Sequence, residues 1–145
     1  MKKWFSLLAL VIATLSVNAQ VGKMVGQWYT IDDKTGEQRS CVSITENKGS
    51  YQAVIVAIYE KDAYGGYREM KPPYPKGWEN VVGTQLFVDM TAEGEILRGK
   101  VYDPENQKTY HGKETYHAKT DELVLRGSLD KAGWLGRSQT WKRKR

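Results

Sequence analysis

Beyond residue 19 the chain alternates apolar and polar positions in short runs, and no stretch keeps apolar residues three and four apart as an amphipathic helix does. Val, Ile, Thr, Tyr and Trp dominate the runs, which is the vocabulary of strands. Turn signals separate them about every ten to thirteen residues, among them Asp32-Asp33-Lys34-Thr35-Gly36, Glu46-Asn47-Lys48-Gly49, Asp103-Pro104-Glu105-Asn106-Gln107 and Asp130-Lys131-Ala132-Gly133. The pattern predicts eight strands, over residues 25–31, 38–45, 51–59, 81–90, 95–102, 109–117, 123–129 and 134–142. Every connection but one has hairpin length, so chain neighbours should pair antiparallel, and eight such strands can close to leave no edge unpaired. The expected fold is all-β, an eight-stranded antiparallel up-and-down barrel. A β-sandwich of the same strands stays open, because local patterning does not register closure.

The exceptional connection is 60–80. Its Tyr64-Gly65-Gly66-Tyr67, Lys71-Pro72-Pro73-Tyr74-Pro75 and Gly77-Trp78 exclude a regular element over most of its length, and so long a loop in a small domain is usually functional. Tyr64, Tyr67, Tyr74 and Trp78 are expected to serve either as a lid over the barrel or as a plug in one end.

Alternation splits each run into two faces, and the split is not clean. Tyr51, Ala53, Ile55 and Ala57 share one face of the third predicted strand, while Val54, Val56 and Ile58 share the other. In the fourth, Leu86, Val88 and Met90 oppose Gln85, Phe87 and Asp89. In the last, Leu135, Arg137, Gln139 and Trp141 fall together, which would make an amphipathic interior.

An eight-stranded barrel is either filled by side chains or encloses one small ligand. In the second case the ligand-binding residues are expected among Trp28, Tyr51, Tyr102, Tyr110, Arg126, Arg137 and Trp141. Rings would cover an apolar body, and guanidinium groups would hold a carboxylate or phosphate head. Arg39 and Arg98 are further strand-borne guanidiniums. Taken singly, each of these residues also has the plainer reading of solvated arginine or packing ring.

His111 and His117 sit about 20 Å apart at strand rise, too far to share a metal. No phosphate-cradling glycine loop, nucleophile elbow or Cys/His motif is present. The expectation is a non-enzyme with no catalytic residue, no metal and no cofactor. An enzyme on this barrel would have to bring together Asp89, Glu114 and His111.

Residues 1–19 read as a secretory signal: Lys2 and Lys3, an apolar run from Trp4 to Val17, and the small-residue site Val17-Asn18-Ala19. That run falls short of the roughly 20 residues of a spanning helix. Cleavage near Ala19 would leave a single domain over 20–145, periplasmic or secreted, monomeric or weakly homodimeric, with no membrane span and at most peripheral envelope contact. The formal net charge is +5. Lys2 and Lys3 supply two of these charges and the run Lys142-Arg143-Lys144-Arg145 four basic groups, so the remainder is near neutral. That excludes a nucleic-acid footprint spread over a face, and the tail reads as a solvated end. Cys41 is the single cysteine, so no intrachain disulfide forms, and the thiol is expected as a small buried strand residue.

Several stretches together resemble a known family. They are Gly26-Gln27-Trp28-Tyr29-Thr30, Val101-Tyr102-Asp103-Pro104-Glu105-Asn106, Leu125-Arg126-Gly127 and Gly136-Arg137-Ser138-Gln139-Thr140-Trp141-Lys142-Arg143. In this order they resemble the domain of unknown function 2147 family of exported bacterial proteins. The resemblance implies a lipocalin-like, calycin-type barrel that binds a small hydrophobic or amphipathic molecule. It also implies that Trp28 packs near the closed end against a basic residue of a terminal strand, namely Arg126, Arg137 or Arg143, between which alternation does not choose. Asn106-Gln107 departs from the family's usual Asn-Gly, so a non-glycine must take that turn, and 60–80 replaces a shorter family loop. The alternative is an envelope interaction module with a solid barrel and a working 60–80 loop.

Overall fold

The strands of the computed structural model, which describes residues 20–145, form where the alternation places them; the signal-peptide reading lies outside the described residues. They are β1 Gly26–Ile31, β2 Gln38–Asn47, β3 Ser50–Lys61, β4 Tyr67–Glu69, β5 Phe87–Glu93, β6 Ile96–Asp103, β7 Lys108–His117, β8 Glu122–Ser128 and β9 Gly136–Arg143. All but β4 join one closed ring of antiparallel pairs, in which β9 returns to β1 through Trp28↔Arg143 and Thr30↔Trp141. The barrel is therefore eight-stranded and closed, which leaves the sandwich aside. The three-residue β4 pairs only with the end of β3.

Two bulges explain the mixed faces. Between the pairs Cys41↔Ala57 and Val42↔Ile55 the extra residue Val56 shifts the parity of β3. Tyr51, Ala53 and Ile55 therefore point inward with Ile58, while Ala57 joins Cys41 on the outer side. In β5, Asp89 takes φ 54 and Phe87 and Met90, three apart, are both buried. The Asp89 carbonyl then occupies the place where a side chain on Gly99 would begin, so the bulge requires glycine opposite it.

The predicted fourth strand starts too early. Gly83, at φ 94, belongs to a turn, and residues 84–86 join β3 through Ile55 N–H to the Thr84 carbonyl at 3.0 Å and Leu86 N–H to the Ala53 carbonyl at 2.7 Å. Pairing with β6 begins only at Leu86, whose carbonyl accepts from Tyr102 N–H at 2.7 Å, and continues from Phe87. The Asp103-Pro104 turn carries its departure from Asn-Gly on Gln107, at φ 58, and Gln107 N–H closes it on the Asp103 carbonyl at 2.8 Å.

One end of the barrel is shut. Val21 and Met24 precede β1 and are buried with Trp28, Ile44, Leu97 and Leu123. Trp28 Nε1 donates to the Met24 carbonyl at 2.9 Å, satisfying the one polar atom of a fully buried ring. The tail is exposed at Lys142, Lys144 and Arg145, as a solvated end should be, but it is tethered: Arg143 and Arg145 both pair with Asp121 at 2.9 Å, and Lys144 N–H donates to the Gln27 carbonyl. Cys41 is buried on the outer side of β2 beside Tyr29 and Tyr59, as a small strand residue should be. Burial pushes its thiol up, and pushes the Tyr59 phenol up to about 12.

Candidate functional site

At the opposite end the barrel opens into a cavity of about 890 Å³. Its apolar wall comes from inward positions of five strands or strand ends, with Ile55, Ile58, Leu86, Val101, Leu125 and Trp141. Trp141 is held in place on two sides. Its indole stacks on Phe87 with centroids 6.3 Å apart, and its Nε1 donates to Gln139 Oε1 at 2.7 Å. Thr30 and Ser40 add a hydroxyl pair, 2.6 Å apart, in which one hydroxyl donates to the other and the accepting one keeps its own hydrogen to offer to the cavity.

Glycines make the room. Gly99, Gly112 and Gly127 lie in register across β6, β7 and β8 at inward positions. Val101 and Met90 occupy the space beside Gly112, but a Cβ on Gly127 would meet its neighbours only at 3.7 Å, ordinary contact, and Gly127 lines the cavity.

The rim is charged. Arg137 grips Asp33 with two hydrogen bonds, Nη2 to Oδ1 at 2.5 Å and Nε to Oδ2 at 3.1 Å, linking β9 to the β1–β2 turn. The Arg137 hydrogen bond holds the Asp33 carboxyl below its ordinary range. Arg39 stands 5.3 Å over the Trp78 ring and 3.8 Å from Glu105. Two guanidinium groups thus border the entrance, each matched by an acid that a bound anion would have to displace.

The family model described as "Uncharacterized protein conserved in bacteria (DUF2147)" matches residues 26–143. The chain belongs to that family. A solved structure described as "Protein HP1028 from the human pathogen Helicobacter pylori belongs to the lipocalin family" is similar to it with a TM-score of 0.59 and 22% identity, over 83% of this chain and 82% of the other. At that identity the likeness establishes the fold, which is lipocalin-like. No curated protein matches the chain.

The lipocalin-like arrangement also selects the partner of Trp28. Arg143, and neither Arg126 nor Arg137, lies over the Trp28 ring, with its guanidinium carbon 4.2 Å from the centroid. Arg143 Nη2 donates to the Lys23 carbonyl at 2.6 Å, and Tyr116 meets Trp28 edge-on at 6.4 Å. Burial acts to raise the Asp121 carboxyl, and hydrogen bonds from Arg143 and Tyr116 outweigh it, so the group is lowered and stays ionised beside Arg143.

Of the residues expected to bind ligand, Tyr102, Tyr110, Arg137 and Trp141 line the cavity, and Trp78 joins them from the 60–80 loop. Trp28 and Tyr51 do not: both are buried in the core toward the shut end, where Tyr51 pairs with Met90. Arg126 is also misplaced by the sequence reading. It holds the β8–β9 hairpin, Nε to the Gly133 carbonyl at 2.6 Å and Nη1 to Ser138 Oγ at 3.2 Å. Arg98 pairs with Glu93 at 3.5 Å.

In the loop, Tyr74 and Trp78 pack on the core, Tyr67 is half-buried in β4, and Tyr64 is 98% exposed. Loop aromatics therefore cover one side of the mouth without filling it. Thr30, Ser40, Leu125 and Gly127 line the cavity as well, though none is among the residues expected to bind ligand. Thr30 and Ser40 follow by alternation from buried Trp28 and Val42, so for them the signal was available.

The three groups an enzyme would need are dispersed. Asp89 is exposed at its bulge, His111 falls on the outer parity of β7, and Glu114 alone is inside. Glu114 is wholly buried, neither carboxyl oxygen has a hydrogen-bond partner among the described residues, and burial alone pushes the group well above the usual carboxylate range.

Proposed function

We propose that this protein is an exported, non-enzymatic carrier that holds one small amphipathic molecule in the barrel cavity, with the apolar body inside and an anionic head at the Arg39 and Arg137 rim. The observation that carries this reading is the cavity itself: about 890 Å³ is within the range of small-molecule sites, and the apolar wall below a charged rim suits such a ligand. Export rests on the character of residues 1–19, with the domain beginning near residue 20.

The test is binding of anilinonaphthalene sulfonate, an apolar ring system with an anionic head, followed by fluorescence. Wild-type protein should bind it saturably at one site. Gly127→Phe should abolish binding, because its ring would fill the cavity from a position where the Cβ itself is tolerated. A thermal midpoint unchanged within a few degrees checks that the variant folds. Failure of the wild type to bind, or unaltered binding by a folded Gly127→Phe, refutes the cavity reading.

The interaction-module reading has one observation in its favour. Leu129, Trp134 and Leu135 stand 69%, 84% and 66% exposed on the β8–β9 hairpin beside the mouth. Such a tip suits contact with another surface, either as a separate function or at delivery of the ligand. Trp134→Ser should leave probe binding intact; a loss would place Trp134 in the cavity site.

A further inference from the structure

Glu114 stands where a closed barrel has least reason to keep an acid. Its register partners are Leu97 on β6 and Leu125 on β8, and the inward positions around it carry Gly112, Leu123, Gly127 and Tyr116. The nearest polar groups by register are Gln139, opposite Leu125 and engaged with Trp141, and Tyr116, whose hydroxyl donates to Asp121. Arg143 is held by Asp121 and Trp28. A buried polar atom without a partner costs stability, and native folds keep few of them without a cause.

The position relates Glu114 to the cavity. Leu125 and Gly127 line the cavity; Glu114 does not itself reach it, but is in register with Leu125, one inward step below the glycine band. The space beside Gly112 is filled by Val101 and by Met90, whose sulfur lies 3.4 Å from where a Gly112 side chain would begin. Methionine is the side chain most ready to move aside.

We propose that Glu114 is the deep recognition group of the cavity, pairing with a neutral group that both donates and accepts a hydrogen bond, a hydroxyl or a primary amide, at the inner end of the bound molecule. This rests on the carrier reading above. In surroundings without a counter-charge the carboxyl is held as the acid, which offers one donor and one acceptor side by side. A hydroxyl satisfies one or both; a bare methyl end leaves both orphaned. An ammonium would require two desolvated charges, which the apolar neighbours do not support.

The experiment compares lauric acid with its ω-hydroxy derivative by isothermal titration, on the wild type, Glu114→Gln and Glu114→Leu. The wild type should prefer the hydroxy acid by roughly tenfold. Glu114→Gln, whose amide also donates and accepts, should keep the preference, and Glu114→Leu should remove or invert it while still binding lauric acid. Equal preference in the wild type and Glu114→Leu overturns the inference and leaves the carrier reading standing. So does loss of the preference in Glu114→Gln. Failure of the wild type to bind either acid overturns both.

Discussion

Replacing Glu114 by leucine should stabilise this protein, although it removes a fully buried side chain that fills the core. The two residues have similar bulk, so little cavity is created. What is lost is a carboxyl with no hydrogen-bond partner on either oxygen among the described residues. An unsatisfied buried polar group costs about 1–3 kcal/mol. With a urea dependence of about 1–3 kcal/mol per molar for a small domain, the midpoint of unfolding should rise by about 1 M at pH 7.

The pH dependence separates this cause from ordinary repacking. Burial raises the folded-state pKa of Glu114 above its ordinary 4.5. The folded state therefore keeps a proton that the unfolded chain releases, and wild-type stability falls as pH rises from about 4.5 through the folded-state value. The slope approaches 1.4 kcal/mol per pH unit at most. Glu114→Leu lacks that slope, so its advantage should grow over this window and be smaller at pH 4. Urea titrations of both proteins between pH 4 and pH 8 measure it. A destabilised Glu114→Leu, or an advantage that does not change with pH, would refute the reasoning and mean that the carboxyl is satisfied in solution.

Three other outcomes are expected. Arg143→Ala should cost about 2 kcal/mol in thermal or urea unfolding, since it uncovers the Trp28 ring and leaves Asp121 with less support; Arg143→Lys should recover only part, lacking the planar fork. Gln107→Gly should raise stability by up to about 1 kcal/mol, because a residue with a Cβ is held at φ 58 in the β6–β7 turn. Asp33→Asn should change stability by no more than about 1 kcal/mol, Arg137 being exposed and Asp33 half-buried, yet strengthen binding of anilinonaphthalene sulfonate about threefold or more by freeing Arg137 at the rim. Weaker probe binding there would mean that Asp33 orients Arg137 for the ligand.

Much of the architecture is written locally. Alternation and turn residues place most of the strands to within a few residues, and hairpin-length connections dictate antiparallel neighbours, so the order of pairing along the chain is legible while its closure is not. The amphipathic face of Arg137, Gln139 and Trp141 was legible too, and it does border the cavity. What alternation missed follows from two residues. Val56 and Asp89 each add one position to a strand, and beyond a bulge every parity assignment reverses. Ile58 and Met90 thereby moved inward and Ala57 outward.

Other assignments depend on distances that strand parity does not contain. Trp28 and Trp141 are both inward, but the first lies at the shut end under Arg143 and the second in the cavity wall, because level along the barrel is set by the register of the β1–β9 closure. Arg126 and Arg137 stand at neighbouring levels, since Arg137 pairs with Gly127, and they differ by face, so that one holds the outer side of the hairpin and the other the rim. Local pattern carries the eight barrel strands, their order and their chemistry. Closure of the ring, the two ends it creates and the isolation of Glu114 were decided by the tertiary structure, since each depends on residues far apart in the chain meeting at one level of the barrel.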